Sequence, residues 1–221
     1  MTCGFAVREP RKAGPLKDRG GTVRHADADE PATLVRAFKG ADTVLINGTN
    51  YDIDPARRAQ QHAAAITAAA ESGAGRLVIT WQDLDHCPMP EVSDYPATET
   101  RARAARIPVT IMRLTSDLAA LVARDVRWAV AAGTLMAPAG QARITPAAVT
   151  DLAEATANVL REAGHEDATY ELTGPDPLGW DEHDRGHPPG SRGLAPAHQH
   201  HETPRADRMA RARFSQSHGI W

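Results

Sequence analysis

The chain has 221 residues, of which 42% are apolar and 24% charged, with a formal net charge of −3. So small a charge argues against a strongly basic nucleic-acid-binding protein. Two cysteines, Cys3 and Cys87, cannot form a disulfide framework, and no apolar run approaches the roughly 18 residues that a membrane-spanning helix needs. We therefore expect a cytoplasmic protein with no membrane span and no nucleic-acid partner.

Through residues 1–182, short apolar or β-branched runs alternate with helix-like stretches. The runs predict strands at residues 4–7, 22–25, 43–47, 76–81, 109–113 and 168–172. Helices are predicted over residues 29–40, 54–72, 97–106 and 146–162. The second helix has Asp54 as its N-cap, Pro55 in its first turn and Gly73 after its end. The predicted fold class is α/β, a Rossmann-like parallel sheet with helices on both faces.

The end of the chain differs in composition from the rest. Residues 1–182 hold 19 basic and 25 acidic residues, a net charge of −6, whereas residues 183–221 hold 6 basic and 3 acidic residues, a net charge of +3. The second segment contains six of the ten histidines but few large apolar side chains, so burial cannot offset its ordering entropy. We predict a domain over residues 1–182 and a disordered or out-of-frame tail over residues 183–221. The irregular histidine spacing argues against a metal site there.

No standard catalytic or cofactor motif is present. A dinucleotide-binding fold usually has a G-x-G-x-x-G turn after its first strand, where amides and a helix N-terminus hold the pyrophosphate. Neither that run nor a P-loop, H-E-x-x-H or G-x-S-x-G signature occurs in the sequence. All three lysines precede the first tyrosine, Tyr51, which excludes a Tyr-x-x-x-Lys pair.

Two strand ends carry residues suited to binding adenosine. Arg8 and Lys12 follow the first predicted strand, where basic side chains can bind a ribose 2′-phosphate, although a solvated helix start also explains them. After the second strand, Asp27 could accept a hydrogen bond from an adenine amine, and the backbone of Ala28 could contact the ring. Asp29 could cap the following helix, and this structural role is compatible with adenine contacts at Asp27 and Ala28.

Several short motifs also occur in an order that one family shares. They are VREPRKA at residues 7–13, HADAD at 25–29, LVRAFKGAD at 34–42, RLVIT at 76–80, TIMR at 110–113 and YELTG at 170–174. Through these motifs residues 4–182 resemble the NmrA-like group of atypical short-chain dehydrogenases, and within it the NAD(P)H-dependent quinone oxidoreductases.

The resemblance implies hydride transfer from NADPH to a quinone or a similar small acceptor, a reaction in which the cofactor supplies most of the chemistry. It implies cofactor contacts at Arg8, Lys12, Asp27, Ala28, Asn47, Gly48, Thr49 and Thr80. Trp81 departs from the family, which usually has a hydroxyl there. Tyr95, where relatives often carry a histidine, is the predicted proton donor, with a surface tyrosine as the alternative.

The family's opening strand and glycine-rich loop are absent from this sequence. We therefore expect a sheet that lacks its first strand, which would lie between the strands at residues 4–7 and 43–47. Two other interpretations stay open: a non-catalytic NAD(P)-binding redox sensor, and an inactive truncated family member. The resemblance further implies a small-molecule substrate and a homodimer, and no metal is expected.

Overall fold

The computed structural model describes residues 2–48, 54–82, 94–114, 118–133, 143–175, 177–179 and 215–216. The chain forms two compact units. The first comprises residues 1–113, 156–170 and 216–221, and the second comprises residues 114–155 and 171–215. Of the predicted tail over residues 183–221, only residues 215–216 lie within the described part, as a short strand.

The strands are β1 (Gly4–Val7), β2 (Thr22–His25), β3 (Thr43–Asn47), β4 (Arg76–Gln82), β5 (Val109–Leu114), β6 (Arg143–Ile144), β7 (Thr169–Leu172), β8 (Leu178–Gly179) and β9 (Ser215–Gln216). The helices are α1 (Gly14–Asp18), α2 (Pro31–Phe38), α3 (Pro55–Glu71), α4 (Tyr95–Ala104), α5 (Leu118–Ala132) and α6 (Val149–Arg161), with a 3₁₀ turn over Pro10–Ala13. None of the helices in the described ranges is long and apolar enough to cross a membrane.

The local signals of α3 act as the sequence predicts. The Asp54 carboxylate accepts hydrogen bonds from the backbone amides of Ala56 at 3.0 Å and Arg57 at 3.1 Å. Pro55 begins the helix, and Gly73 lies beyond its end with a φ of +79°, a conformation that glycine adopts without strain.

Several helix predictions are wrong in their bounds or missing, and the short α1 and the shortened α2 are among them. No helix was predicted over residues 118–132, although good helix formers there build α5 and Gly133 follows its end with a φ of +71°. Helix α4 begins at Tyr95 and not at residue 97, so Tyr95 opens the helix. Helix α6 begins at Val149 and not at residue 146, because the Thr145 carbonyl accepts a hydrogen bond from the Gly174 amide at 3.0 Å and holds this segment out of the helix.

The strands form three sheets. β1 and β2 make a parallel pair, β3-β4-β5-β7-β9 is the strand order of a five-stranded sheet, and β6 pairs with β8 in the antiparallel sense. β3 runs parallel to β4, with Val44 opposite Leu77 and Leu45 opposite Val78. Strands β1 and β3 thus lie in different sheets, as expected for a sheet without a strand between them. The predicted Rossmann-like α/β class is confirmed.

The core of the first unit lies around β4 and β5. Leu77, Val78 and Ile79 are each 0% exposed, and the side chains of Val109–Met112 are buried as well. Because successive strand residues point to opposite faces, both strands are covered on both faces. At the start of β4, the buried Arg76 donates to the carbonyls of Val159 at 2.9 Å and Glu162 at 3.1 Å, which lie at the end of α6.

Candidate functional site

The segments that follow β2 and β3 meet at one edge of the first unit. The Asp29 carboxylate accepts hydrogen bonds from Arg57 (Nη2 to Oδ2, 2.7 Å) and from Gln61 (Nε2 to Oδ1, 3.0 Å). These two bonds, the one from Arg57 first, lower the pKa of Asp29 below its ordinary value. Since Arg57 and Gln61 lie on the helix that follows β3, the carboxyl ends of β2 and β3 face the same edge.

The predicted role of Asp29 as the N-cap of α2 is wrong. The N-cap position of α2 is held by Glu30, and no side chain there bonds to the helix amides. Asp29 therefore does not cap α2; its carboxylate is directed to Arg57 and Gln61.

A buried ion pair links the helices that follow β3 and β4. The Arg58 side chain, 0% exposed, donates through Nε to Asp94 Oδ2 at 3.1 Å and through Nη2 to Asp94 Oδ1. His62, one turn further along α3, has Nδ1 3.9 Å from Asp94 Oδ2. Burial lowers the pKa of His62, and the Arg58 charge acts in the same direction while Asp94 opposes both. The histidine is therefore held neutral beside a compensated ion pair.

Two aromatic rings stack against this ion pair. The Trp81 and Tyr95 rings lie 5.5 Å apart between centroids, with an interplanar angle of 9°. The Arg58 guanidinium carbon lies 5.2 Å from the centroid of the Tyr95 ring, a cation–π distance. Trp81 is 4% and Tyr95 5% exposed, so the alternative of a surface tyrosine is wrong. The role of Tyr95 as a proton donor stays a prediction.

A single carboxylate joins β4, α4 and β5. Glu99 Oε1 accepts a hydrogen bond from the Trp81 indole Nε1 at 3.0 Å and from Arg113 Nε at 2.9 Å, and Oε2 accepts one from Arg113 Nη2 at 2.9 Å. The Arg113 and Glu99 side chains are only 18% and 12% exposed. This bidentate pair is of the stronger class of ion pairs, because its geometry is fixed and its surroundings are partly desolvated.

Of the predicted phosphate ligands, Arg8 and Lys12 are both exposed beyond β1. Lys12 Nζ lies 2.8 Å from Glu9 Oε1, and this bond lowers the pKa of Glu9. Arg8 makes no ion pair within the described part of the chain. Arg8 is thus the more available of the two cations for an anionic ligand.

The predicted adenine contacts lie in a tight turn after β2. Asp27 Oδ1 accepts a hydrogen bond from the Asp29 amide at 3.0 Å, and the Asp27 amide donates to Thr33 Oγ1 at 2.8 Å. Asp27 and Ala28 are both half-buried. The turn therefore commits one carboxylate oxygen of Asp27 to its own backbone and fixes the direction of the side chain.

The predicted contacts after β3 and β4 come together. Thr80 Oγ1 donates to Asn47 Oδ1 at 2.7 Å, and the Gly48 amide donates to the Thr80 carbonyl at 3.1 Å. Asn47 and Gly48 are exposed, whereas Thr80 is 2% exposed. Thr49 lies outside the described residues. The bond from Thr80 thus occupies the side-chain carbonyl of Asn47 and fixes the orientation of its amide group.

Arg8 and Asn47 carry the types of donor group that a phosphorylated dinucleotide needs at its two ends. An exposed guanidinium at Arg8 suits a ribose 2′-phosphate, and the oriented amide of Asn47 suits the nicotinamide ribose or carboxamide. The glycine-rich turn that usually holds the pyrophosphate does not occur in the sequence. In the parts of the chain that the structure covers, no group of three or more His, Cys, Asp or Glu side chains could hold a metal ion.

The functional residues predicted from the sequence do not include Arg57 and Arg58, which link α3 to its two aspartate partners. One signal was available: Arg57 and Arg58 lie in the first turn of α3, where the helix dipole disfavours positive charge unless it is compensated. Two such residues indicate carboxylate partners from elsewhere. No local pattern identifies those partners, Asp29 and Asp94, because they lie 28 and 36 residues away in sequence.

Comparison with known proteins supports the predicted fold. A family profile described as NAD(P)H-binding matches residues 2–116. Quinone oxidoreductase 2 of Escherichia coli is 32% identical over 173 residues, 76% of this chain. Two solved structures superimpose well: Citrobacter sp. triphenylmethane reductase complexed with NADP(H) (TM-score 0.75, 31% identity, 82% of this chain), and E. coli NADPH-dependent quinone oxidoreductase complexed with NADPH (TM-score 0.70, 30% identity, 81%). The predicted resemblance and the NAD(P) cofactor class are confirmed.

The chain spans only part of each of these proteins. It covers 58% of the length of E. coli quinone oxidoreductase 2. The corresponding shares are 64% for the Citrobacter reductase and 62% for the E. coli enzyme bound to NADPH.

Proposed function

The chain belongs to the NAD(P)H-binding family, and on that premise we propose that it transfers a hydride from NADPH to a quinone or a similar small acceptor. One observation carries the proposal. Asn47 and Thr80 form a hydrogen bond at the carboxyl ends of the neighbouring strands β3 and β4. Trp81, the residue after Thr80 in β4, stacks on Tyr95. In parallel α/β sheets, ligands bind outside the carboxyl ends of the strands.

NADPH is proposed over NADH because of the cation after β1. Arg8 would contact the 2′-phosphate, with Lys12 contributing a more distant charge that Glu9 already compensates. Asp27 and Ala28 would contact the adenine edge, and Asn47, Gly48, Thr49 and Thr80 would line the ribose and nicotinamide. When bound, NADPH supplies the hydride, two electrons and one proton, to the acceptor.

The protein itself orients the cofactor and the acceptor and supplies one proton to the reduced oxygen. Reduction of a quinone to a hydroquinone needs a second proton on the reduced oxygen, and we propose that the Tyr95 phenol donates it, to be reprotonated from solvent. The buried stack with Trp81 and the Arg58 guanidinium hold the ring in one orientation.

The test is an NADPH titration followed by fluorescence, together with benzoquinone reduction followed by the loss of NADPH absorbance. Arg8→Ala should weaken NADPH binding about tenfold and leave NADH binding unchanged, because one charge-assisted phosphate contact is lost. Arg36→Ala, an exposed arginine on α2, is the matched control. Equal losses for both nucleotides would contradict the proposed 2′-phosphate contact, and no NADPH binding by the parent would reject the function.

The second candidate function is a dinucleotide-binding redox sensor without turnover. The observation that favours it is the burial of the predicted proton donor, since Tyr95 is only 5% exposed. The two functions differ in one measurement: a sensor binds NADPH but does not oxidise it when benzoquinone is added. A chain that does neither would be the inactive family member.

The quinone-like substrate, the homodimer and the cytoplasmic location remain parts of this proposal. Sedimentation equilibrium of the full chain tests the dimer. A panel of benzoquinones, naphthoquinones and cationic triarylmethane dyes tests the acceptor class, because the two structurally similar reductases are named for quinone and triphenylmethane substrates.

A further inference from the structure

We propose that Glu99 is a positioning residue that fixes the Trp81 ring and, through it, the Tyr95 phenol. The inference rests on the proposed function in one respect, the role of Tyr95 as proton donor. It goes beyond that function because neither Glu99 nor its partner Arg113 was among the predicted site residues.

Helix α4 presents two residues to Trp81. Tyr95 and Glu99 are four residues apart on this helix, so their side chains lie on one face, one above the other. Both contact the same residue of β4: Tyr95 stacks on the Trp81 ring, and Glu99 accepts the Trp81 indole N–H at 3.0 Å. The helix therefore holds the indole at two points, by its face and by its edge.

The two contacts restrain the indole in different directions. Stacking at an interplanar angle of 9° constrains the separation and tilt of the two rings more strongly than their lateral offset. The indole has one N–H group, and a hydrogen bond from it to a fixed acceptor is directional. Glu99 therefore adds to the stack a constraint on the lateral position of the indole, on which the position of the phenol depends.

Glu99 is itself held in place by β5. Arg113 on β5 donates through Nε and Nη2 to the two oxygens of Glu99, both at 2.9 Å. A bidentate pair of this kind fixes the plane of the carboxylate as well as its charge. Arg113 orients Glu99, Glu99 orients Trp81, and Trp81 together with Arg58 orients Tyr95.

The first measurement requires no turnover. The fluorescence and near-UV circular dichroism of Trp81 are obtained as the difference between the parent and Trp81→Phe. In Glu99→Gln, which keeps the size of the side chain but removes its charge, we expect the Trp81 emission to shift and its near-UV band to weaken. Glu99→Asp should restore part of the band, and Glu71→Gln, exposed at the end of α3, is the control. An unchanged Trp81 spectrum in Glu99→Gln would overturn the proposal.

The second measurement is a kinetic double-mutant cycle with NADPH and benzoquinone. Glu99→Gln should lower kcat about tenfold, the effect of one charge-assisted hydrogen bond, and leave the KM for NADPH unchanged. In the Tyr95→Phe background the same substitution should cost little further, because the positioned phenol is already absent. Equal losses in both backgrounds would overturn the link to Tyr95.

The two proposals fail in different ways. If the parent has no turnover, or if Tyr95→Phe retains it, the proton-donor role is wrong, and the spectra alone decide whether Glu99 holds Trp81. If Tyr95→Phe is inactive while Glu99→Gln has the parent's kcat and spectrum, the proposed function stands and the positioning role is rejected.

Discussion

At the centre of the first unit, consecutive residues of β4 and β5 are buried on both faces, whereas every residue of β1 and β2 is exposed or half-buried. Strand β3 lies between these extremes, with Val44 and Ile46 buried and Leu45 38% exposed. Parallel strands usually need cover on both faces. The centre, formed by β4 and β5, is therefore stabilised by burial of apolar area. The flank, formed by β1 and β2, depends on backbone pairing between these two strands and on the packing of α2.

The ion pairs of the first unit also differ in their burial. Two neighbouring arginines at the start of α3 each bond an aspartate, but the Arg58–Asp94 pair is buried while the Arg57 and Asp29 side chains are 60% and 37% exposed. An exposed pair competes with water and salt, whereas a buried charge that loses its partner has no solvent to replace it. Position in the fold, and not residue chemistry, determines the energetic weight of each pair.

The largest effect is expected from breaking the buried pair. Asp94→Asn leaves the Arg58 charge uncompensated in the core and should lower the free energy of unfolding by about 4 kcal/mol. Asp29→Asn makes the same chemical change at the exposed pair and should shift the urea midpoint very little. Comparable losses for the two variants would contradict the distinction between centre and flank.

A leucine in each region gives the next comparison. Leu77→Ala on β4 removes a side chain that is 0% exposed and should cost about 3 kcal/mol, including the cavity it leaves. Leu45→Ala, on the neighbouring strand but 38% exposed, should cost less than about 1 kcal/mol. Urea unfolding of both variants measures the difference, and the interpretation fails if Leu45→Ala is the more destabilised.

In the flank, substitution of one glycine is expected to lower the free energy of unfolding. A Cβ at Gly21 would overlap the Phe5 ring of β1 and lie 2.9 Å from the Leu16 carbonyl oxygen. Gly21→Ala should therefore cost about 2 kcal/mol through overpacking. Faster amide hydrogen exchange in β1 and β2, but not in β4, would localise the effect. Gly14→Ala, where no atom lies within 4 Å of the added Cβ, should be harmless.

The smallest effect concerns pH and His62. Its pKa lies below the ordinary value of 6.5 because it is buried, and between these two values the unfolded chain binds more protons than the folded one. Stability should therefore be fully present above pH 6.5 and should fall as the pH drops below it. His62→Gln should flatten this part of the profile, whereas His25→Gln, exposed on β2, should not. Identical profiles for His62→Gln and the parent would exclude His62 as the source.

The fold was accessible from the sequence wherever local signals were strong. Asp54, Pro55 and Gly73 mark both ends of α3, and the bounds of β1, β2 and β3 match those predicted from short apolar runs. Helix α5 was missed although Ser116 and Asp117 precede it and Gly133 follows it in the sequence, residue types that commonly flank helices. Helix α6 starts later than predicted because of a contact with Gly174, which no local pattern encodes.

The candidate site was less accessible. Residues at strand ends could be chosen from the topology alone, and Asn47 and Thr80 do meet there. The burial of Tyr95 could not be inferred, because it depends on Trp81 and Arg58, which come from other elements. The Glu99–Arg113 pair likewise joins a helix to a strand, and only the folded chain brings them together.

The contact between Arg76 and the end of α6 has a consequence for the order of folding during synthesis. Arg76 leaves the ribosome 83 residues before Val159, whose carbonyl it binds in the finished protein. At roughly 5–20 residues per second, its acceptors follow about 4 to 17 seconds later. During that interval a nascent β4 carries an arginine without its final acceptors, so the contact between Arg76 and α6 forms only after residue 162 has left the ribosome. Ribosome arrest at successive lengths should show a further gain in the protection of β4 once that residue has emerged.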